Sequence, residues 1–306
     1  MNKKKDNNLS LFNTLMRSSI LRRQVETHVE IKLDPPRQID FLHAAMCQVG
    51  MPRRSQKKRS FERSNGFTSI LLEAGKLYQR GKFVEMPLPY GTRPRLVMVH
   101  LSTEAVRTRN REIEIGDSIR DFMKTLGIDT GGHEYGRFKR QMEALAACRM
   151  TLGMSTPNRD ITINTQPIKR FEAWLHPTGQ QRIMWPGVLE LSQDFYETLV
   201  NHAVPLDKRA LGALKHSALC LDIYSWLAHR LHRIQGRVGT KLSWGNLRNQ
   251  FGQEYKNPKD FKREFKNSLH QVMSVYPDAK IESTYGGIML HSSQPPVRKT
   301  QILTLG

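Results

Sequence analysis

The apolar positions of the chain fall into helical and alternating stretches, and one order of elements occurs twice. The clearest stretch lies near the C-terminus. Phe261, Phe265, Leu269, Val272 and Met273 recur at the i, i+4, i+8, i+11, i+12 spacing of one helical face, which packs inward. Asn257 stands where an N-cap belongs, and Pro258 occupies the first helical position, where its missing N–H costs nothing. A helix through Met273 follows. Lys259, Lys262, Arg263, Lys266, Asn267 and His270 fall on its opposite face. Upstream, Leu242 to Gly252 reads as a short helix with Ser243 as N-cap, Trp244, Leu247 and Phe251 inward, and Gly252 as a left-handed stop. Downstream, residues 279–284 and 288–292 flank Tyr285-Gly286-Gly287, whose paired glycines supply the positive φ angles of a tight hairpin. Short helix, turn, basic helix and hairpin make a helix-turn-helix unit followed by a wing.

The same order is read further upstream. Asp117 or Ser118 caps a short helix whose Ile119, Phe122, Met123 and Leu126 face inward and which Gly127 ends. After a turn, Tyr135 to Leu145 is again a basic helix, with Phe138, Met142 and Leu145 inward and Arg137, Lys139 and Arg140 outward. Strand-like segments follow at 161–164, 171–175 and 183–191. Before this copy, Phe67 to Glu73 has strand composition, the Pro87 to Gly91 cluster marks a loop, and Leu96 to Val106 reads as a helix. Ile113 and Ile115 then alternate with glutamates as a short strand.

Between the copies Pro205 marks a boundary, and an apolar helix from Lys208 to about Ile234 is expected to be the central packing helix of the second copy. In the N-terminal region, Leu9, Phe12, Met16 and Ile20 form a short helical stripe, Pro35-Pro36 interrupts, and residues 41–50 suggest a second short helix. The cations Arg53, Arg54, Lys57, Lys58 and Arg59 then fit either a DNA-contacting arm or a solvated linker. The reading is an α+β protein of tandem winged-helix domains. It comprises a basic, partly disordered segment (1–62), an N-terminal winged-helix-like domain (63–203), a C-terminal DNA-reading domain (205–296) and a tail (297–306).

Charge narrows the partner. A formal net charge of +20 on 306 residues favours a polyanion, because Lys and Arg that neutralise phosphates release counterions. No apolar run approaches the roughly 18 residues that span a bilayer, and no signal-like core follows the start, so a cytoplasmic protein is expected. Cys47, Cys148 and Cys220 lie far apart in apolar contexts and read as buried hydrophobes of a reducing compartment. On the helix that begins at Pro258 the outward residues suit nucleic acid: cations for phosphates, Arg for guanine, Asn for adenine. Arg248 and Lys280 extend that face, and no cofactor or metal is expected.

The stretches Leu88-Pro89-Tyr90-Gly91-Thr92-Arg93-Pro94-Arg95, Thr103 to Val106 with Arg111-Glu112-Ile113, and the whole of 205–292 resemble plasmid replication initiator proteins of the RepA type. The resemblance runs from about Phe41 to Pro296. It implies two winged-helix domains that bind repeated origin sites (iterons) in double-stranded plasmid DNA. It further implies opening of an adjacent AT-rich stretch, recruitment of the host initiator and replicative helicase, and copy-number control through a monomer–dimer equilibrium. Base readout would fall to Lys259, Lys262, Arg263, Lys266 and Asn267, with phosphate contacts from Arg137, Lys139 and Arg140 and the dimer surface in the N-terminal domain.

A rolling-circle initiator or relaxase needs a metal held by His-x-His on one strand face, and no His-x-His occurs. His229 and His232 read as partly exposed helix residues, Tyr224 and Tyr276 as core, and no Walker-type loop is present. A non-enzyme is expected. A transcriptional repressor would use the same two domains and differ in its site, one palindrome instead of direct repeats.

Overall fold

The computed structural model describes residues 19–79, 81–156, 158–171, 187–236 and 238–298. Helix α1 (Ser19–Leu33) is followed by strand β1 (Ile39–His43), helix α2 (Ala44–Gln48), and strands β2 (Ser60–Ser64), β3 (Thr68–Glu73), β4 (Lys76–Gln79) and β5 (Lys82–Glu85). Next come α3 (Thr92–Thr108), β6 (Glu112–Glu114), α4 (Ile119–Thr125), α5 (Gly132–Ala147), β7 (Arg149–Thr156), β8 (Arg159–Thr165), β9 (Ile168–Phe171) and β10 (Val188–Leu191). The C-terminal part holds α6 (Gln193–His202), β11 (Ala203–Asp207), α7 (Lys208–Leu214), α8 (Ala218–Arg230), β12 (Thr240–Ser243), α9 (Trp244–Phe251), α10 (Pro258–Val275), β13 (Ile281–Thr284) and β14 (Gly287–Leu290). The architecture is mixed α+β.

Two stretches share one topology. Each runs strand, short helix, longer helix and two further strands, and each closes an antiparallel three-stranded sheet with its last strand central: β6-β10-β9 and β12-β14-β13. In the first, the β7–β8 hairpin leaves the unit to complete a four-stranded sheet, β2-β3-β7-β8. The Leu9, Phe12 and Met16 positions, residues 172–175 and 183–186, and most of the tail lie outside the described residues.

Several sequence expectations change. Residues 41–50 do not make one helix: β1 runs to His43, whose imidazole then accepts the Ala45 N–H at 3.1 Å and caps α2. β1 pairs antiparallel with β11, Ile39 opposite Asp207 and His43 opposite Ala203, so Pro205 sits inside a strand facing Phe41. The expected helix over 208–234 is broken at 215–217, because the Ser217 hydroxyl accepts the Cys220 N–H and starts α8 afresh. In the C-terminal hairpin only Gly286 has positive φ, at 80°. Gly287 belongs to β14, where a Cβ would overlap the Leu242 carbonyl, so the second glycine serves close strand approach.

α8 is the pillar of the core, with every residue from Leu219 to Ala228 buried. One of these is Asp222, which accepts from Arg95 of α3 through both carboxylate oxygens, at 2.7 and 2.8 Å. Arg95 also donates to the carbonyls of Met51, Pro52 and Gly91. Beside it Arg63, fully buried, donates to Gly50 and Met51 carbonyls and to Glu254, while Arg53 pairs with Glu254 at 2.9 Å and donates to the Phe251 carbonyl. Burial drives Glu254 upward, but Arg53 and Arg63 outweigh it and hold the carboxyl below its ordinary range. This buried seam ties residues 50–63 to the loop between α9 and α10.

Asp40 of β1 shows the opposite balance. Burial pushes its carboxyl up to about 6, against the pull of Lys208 and Arg107. A folded-state value above the unfolded one means stability falls as pH rises from about 4 to about 6, then stays reduced. Asp40→Asn should therefore stabilise the protein by about 1–3 kcal/mol at pH 7 and flatten that fall. Urea unfolding at pH 4.5 and pH 7 checks this, and equal effects at both would contradict it.

Candidate nucleic-acid interface

The outward face of α10 is built from its inward one. Asn257 accepts the Lys259 N–H at 2.9 Å and Pro258 opens the first turn. Phe261, Phe265, Leu269, Val272 and Val275 are buried, and Met273, expected inward, is half-buried. Phe265 meets the rings of Trp244, Phe251 and Phe261 with centroids 5.5–6.0 Å apart. That aromatic bed fixes the rotation of the helix. Lys259, Lys262, Arg263, Lys266, Asn267 and His270 are all exposed on one side. The ammonium groups of Lys262 and Lys266 lie over the Trp244 ring, 5.1 and 5.8 Å from its centroid, an attraction that orders both cations. Arg263 pairs with Asp260 at 2.9 Å, but both are well exposed, so the pair is weak and readily exchanged for a stronger anion.

The remaining candidates divide. Lys280 is exposed where the chain enters β13, its N–H fixed on Ser293. Arg248 is half-buried and donates to the Tyr255 carbonyl at 3.3 Å, so it closes the turn between α9 and α10. On α5, Arg137 and Arg140 are exposed and Lys139 half-buried, flanking the buried Phe138; Arg137 pairs with Glu134 at 3.4 Å. The α5 face lies in the first unit and the α10 face in the second, each on the longer helix of its unit. The Arg53–Arg59 cluster is split as well. Arg53 points into the seam, Arg54 lies over the Tyr255 ring at 5.7 Å, and Lys57 and Lys58 are exposed. The arm thus starts beside the α9–α10 turn.

The family model described as plasmid encoded RepA protein matches residues 88–246, just over half of the 306. The chain belongs to the RepA family of plasmid replication initiators. Within that match, residues Leu88–Arg95 make internal contacts. The Tyr90 N–H donates to Gln141, Arg93 pairs with Glu134, and Arg95 holds Asp222. The match ends inside α9, so α10 lies beyond it. A search of curated proteins returned no match. Among solved structures, two crystal structures of domains 2 and 3 of RctB are similar. One has 13% identity over 80% of this chain and 95% of that one, with a TM-score of 0.47. The other has 13% identity over 79% and 85%, with a TM-score of 0.45.

Among the described residues no helix is long and apolar enough to cross a membrane, and no three His, Cys, Asp or Glu side chains converge as a metal set. Tyr224 and Tyr276 are buried, their hydroxyls engaged with the Asp207 N–H and the Gln294 carbonyl. Cys47, Cys148 and Cys220 are free and buried. His229 is half-buried, and burial with Arg233 beside it holds its imidazole down at about 3.

Proposed function

We propose that this RepA-family protein is a non-enzymatic, sequence-specific initiator that binds direct repeats in a plasmid origin. Each of its two like-ordered units acts as a winged helix. In the second, α10 enters a major groove and the β13–β14 hairpin lies along the flanking phosphates, with Lys280 at its base. The observation that carries the reading is the α10 face: cations and Asn267 held outward on an aromatic bed, in a chain of net charge +20. The first unit adds phosphate contacts through Arg137 and Arg140, and the arm at Arg54–Lys58 adds others beside the α9–α10 turn. Opening of AT-rich DNA, recruitment of the host initiator and helicase, and a monomer–dimer equilibrium complete the role, by analogy with initiators of this type.

Footprinting on the DNA flanking its own gene, across a salt series and with a nicking control, tests the proposal. Regular protection of direct repeats that survives higher salt, without cleavage, supports it. A single protected palindrome would favour a repressor, and a metal-dependent nick would make the protein an enzyme. Arg263→Ala should cost about 1–3 kcal/mol on the specific site and relax preference at one base position. Lys262→Ala and Lys266→Ala should weaken all sequences alike and reduce the salt slope by about 1 each. Equal loss on specific and random DNA for Arg263→Ala would remove it as a base reader.

A further inference from the structure

The ribbon formed by β4 and β5 has two unlike faces. Leu77 packs on the core and Gln79 donates to Glu143 of α5 at 3.2 Å, so one face is fixed to the longer helix of the first unit. On the other face Tyr78 and Phe83 sit directly opposite each other, edge to face at 5.3 Å, yet 67% and 72% exposed. An aromatic pair left in water on a two-stranded ribbon contributes nothing to the core. Phe83 also walls a groove of about 450 Å³ whose other sides include Arg59, Lys76, Arg149 and Gln166. The groove's floor is backbone, since a Cβ on Gly75 would overlap the Ala147 carbonyl. Glu73 lines it too, and Glu85 pairs with Arg59 at 3.0 Å and with Lys76 at 3.5 Å. Three cations, Arg59, Lys76 and Arg149, thus face two carboxylates.

The geometry points to a binding site for an unpaired DNA strand. A base needs a flat apolar surface that paired bases cannot reach, and its phosphates need cations within a few ångströms; Phe83 and Tyr78 supply the first, and Arg59, Lys76 and Arg149 the second. The groove has the volume of a small-ligand site, enough for a splayed-out nucleotide. Duplex DNA would leave the rings uncovered. The site lies on the first unit beside α5, whereas the proposed duplex reader α10 belongs to the second. The inference rests on the DNA-binding reading above and extends it to a second form of DNA.

The test measures fluorescence anisotropy of labelled oligo(dT) of about 16 nucleotides, and of the footprinted duplex repeat, on the full chain. Replacing both rings (Tyr78→Ala with Phe83→Ala) should weaken oligo(dT) binding at least about fivefold and leave duplex affinity and thermal midpoint unchanged. Phe83→Trp in the Tyr78→Ala background should restore part of the loss, because stacking needs a ring and not a particular one. Unchanged oligo(dT) affinity in the double variant overturns the site, as does an equal loss on duplex. Wild-type protein that binds the duplex but not oligo(dT) overturns this inference alone. Binding to neither overturns the reading it rests on.

Discussion

Asp222→Ala should destabilise the protein by about 3–5 kcal/mol, the cost of leaving a buried charge without its partner. Arg95 and Asp222 each keep only 7% of their side-chain surface exposed, and water has little access to replace the lost carboxylate. The guanidinium would retain its three carbonyl acceptors but lose the carboxylate paired with it, leaving only the more distant Glu254. Asp222→Asn keeps the shape and part of the hydrogen bonding, so it should lose less than the alanine variant. Denaturant unfolding followed by circular dichroism reads both. A loss below about 1 kcal/mol for Asp222→Ala would mean that the seam is solvated and does not hold the two halves together. Because Asp222 is buried and its side chain bonds to Arg95 of α3 and not to the outward face of α10, folded Asp222→Ala protein should bind DNA normally at temperatures below its transition.

Phe265→Ala comes second, at about 3–5 kcal/mol for a fully buried aromatic. Its effect should differ in kind. Phe265 sits between the ring of Trp244, over which Lys262 and Lys266 lie, and the rings of Phe251 and Phe261. Emptying that position unseats both lysines, so DNA affinity should fall even in the fraction that remains folded. Phe265→Leu, nearer in volume, should lose less stability and keep most of the binding. Full DNA affinity in folded Phe265→Ala protein would show that the aromatic bed does not orient the cationic face.

What is legible in the sequence depends on how local its cause is. α10 is legible because its cap, its first-turn proline and its apolar spacing all lie within one run of residues. The outward position of Lys259, Lys262, Arg263, Lys266, Asn267 and His270 follows from the same period. β12 is not legible, since Leu242 is its one apolar residue and the strand exists by pairing with β14. β1 is hidden for a similar reason: its partner β11 lies far along the chain. The arginines show the limit most clearly. Arg53, Arg63, Arg95 and Arg248 look like any other cation in a basic chain, and only folding reveals a carboxylate or carbonyl facing each. Arg95 and Asp222 are 127 residues apart and share no spacing that a motif could record. The exposed Tyr78 and Phe83 show the same limit, since nothing in their local spacing places them outside the core.

The pairing of β1 with β11, together with the hold of Glu254 on Arg53 and Arg63, sets an order of events during synthesis. A chain emerging N-terminus first presents β1 long before its partner strand exists, and Arg63 before its carboxylate. Contacts of such sequence separation close late and slowly. Until the ribosome has released the segment around residue 254, the N-terminal half carries an open strand edge that favours association with other chains, and Arg53 and Arg63 lack their carboxylate. Fragments cut near residue 205 would be trapped in that condition permanently, so a soluble N-terminal half is better sought by keeping the C-terminal unit than by removing it.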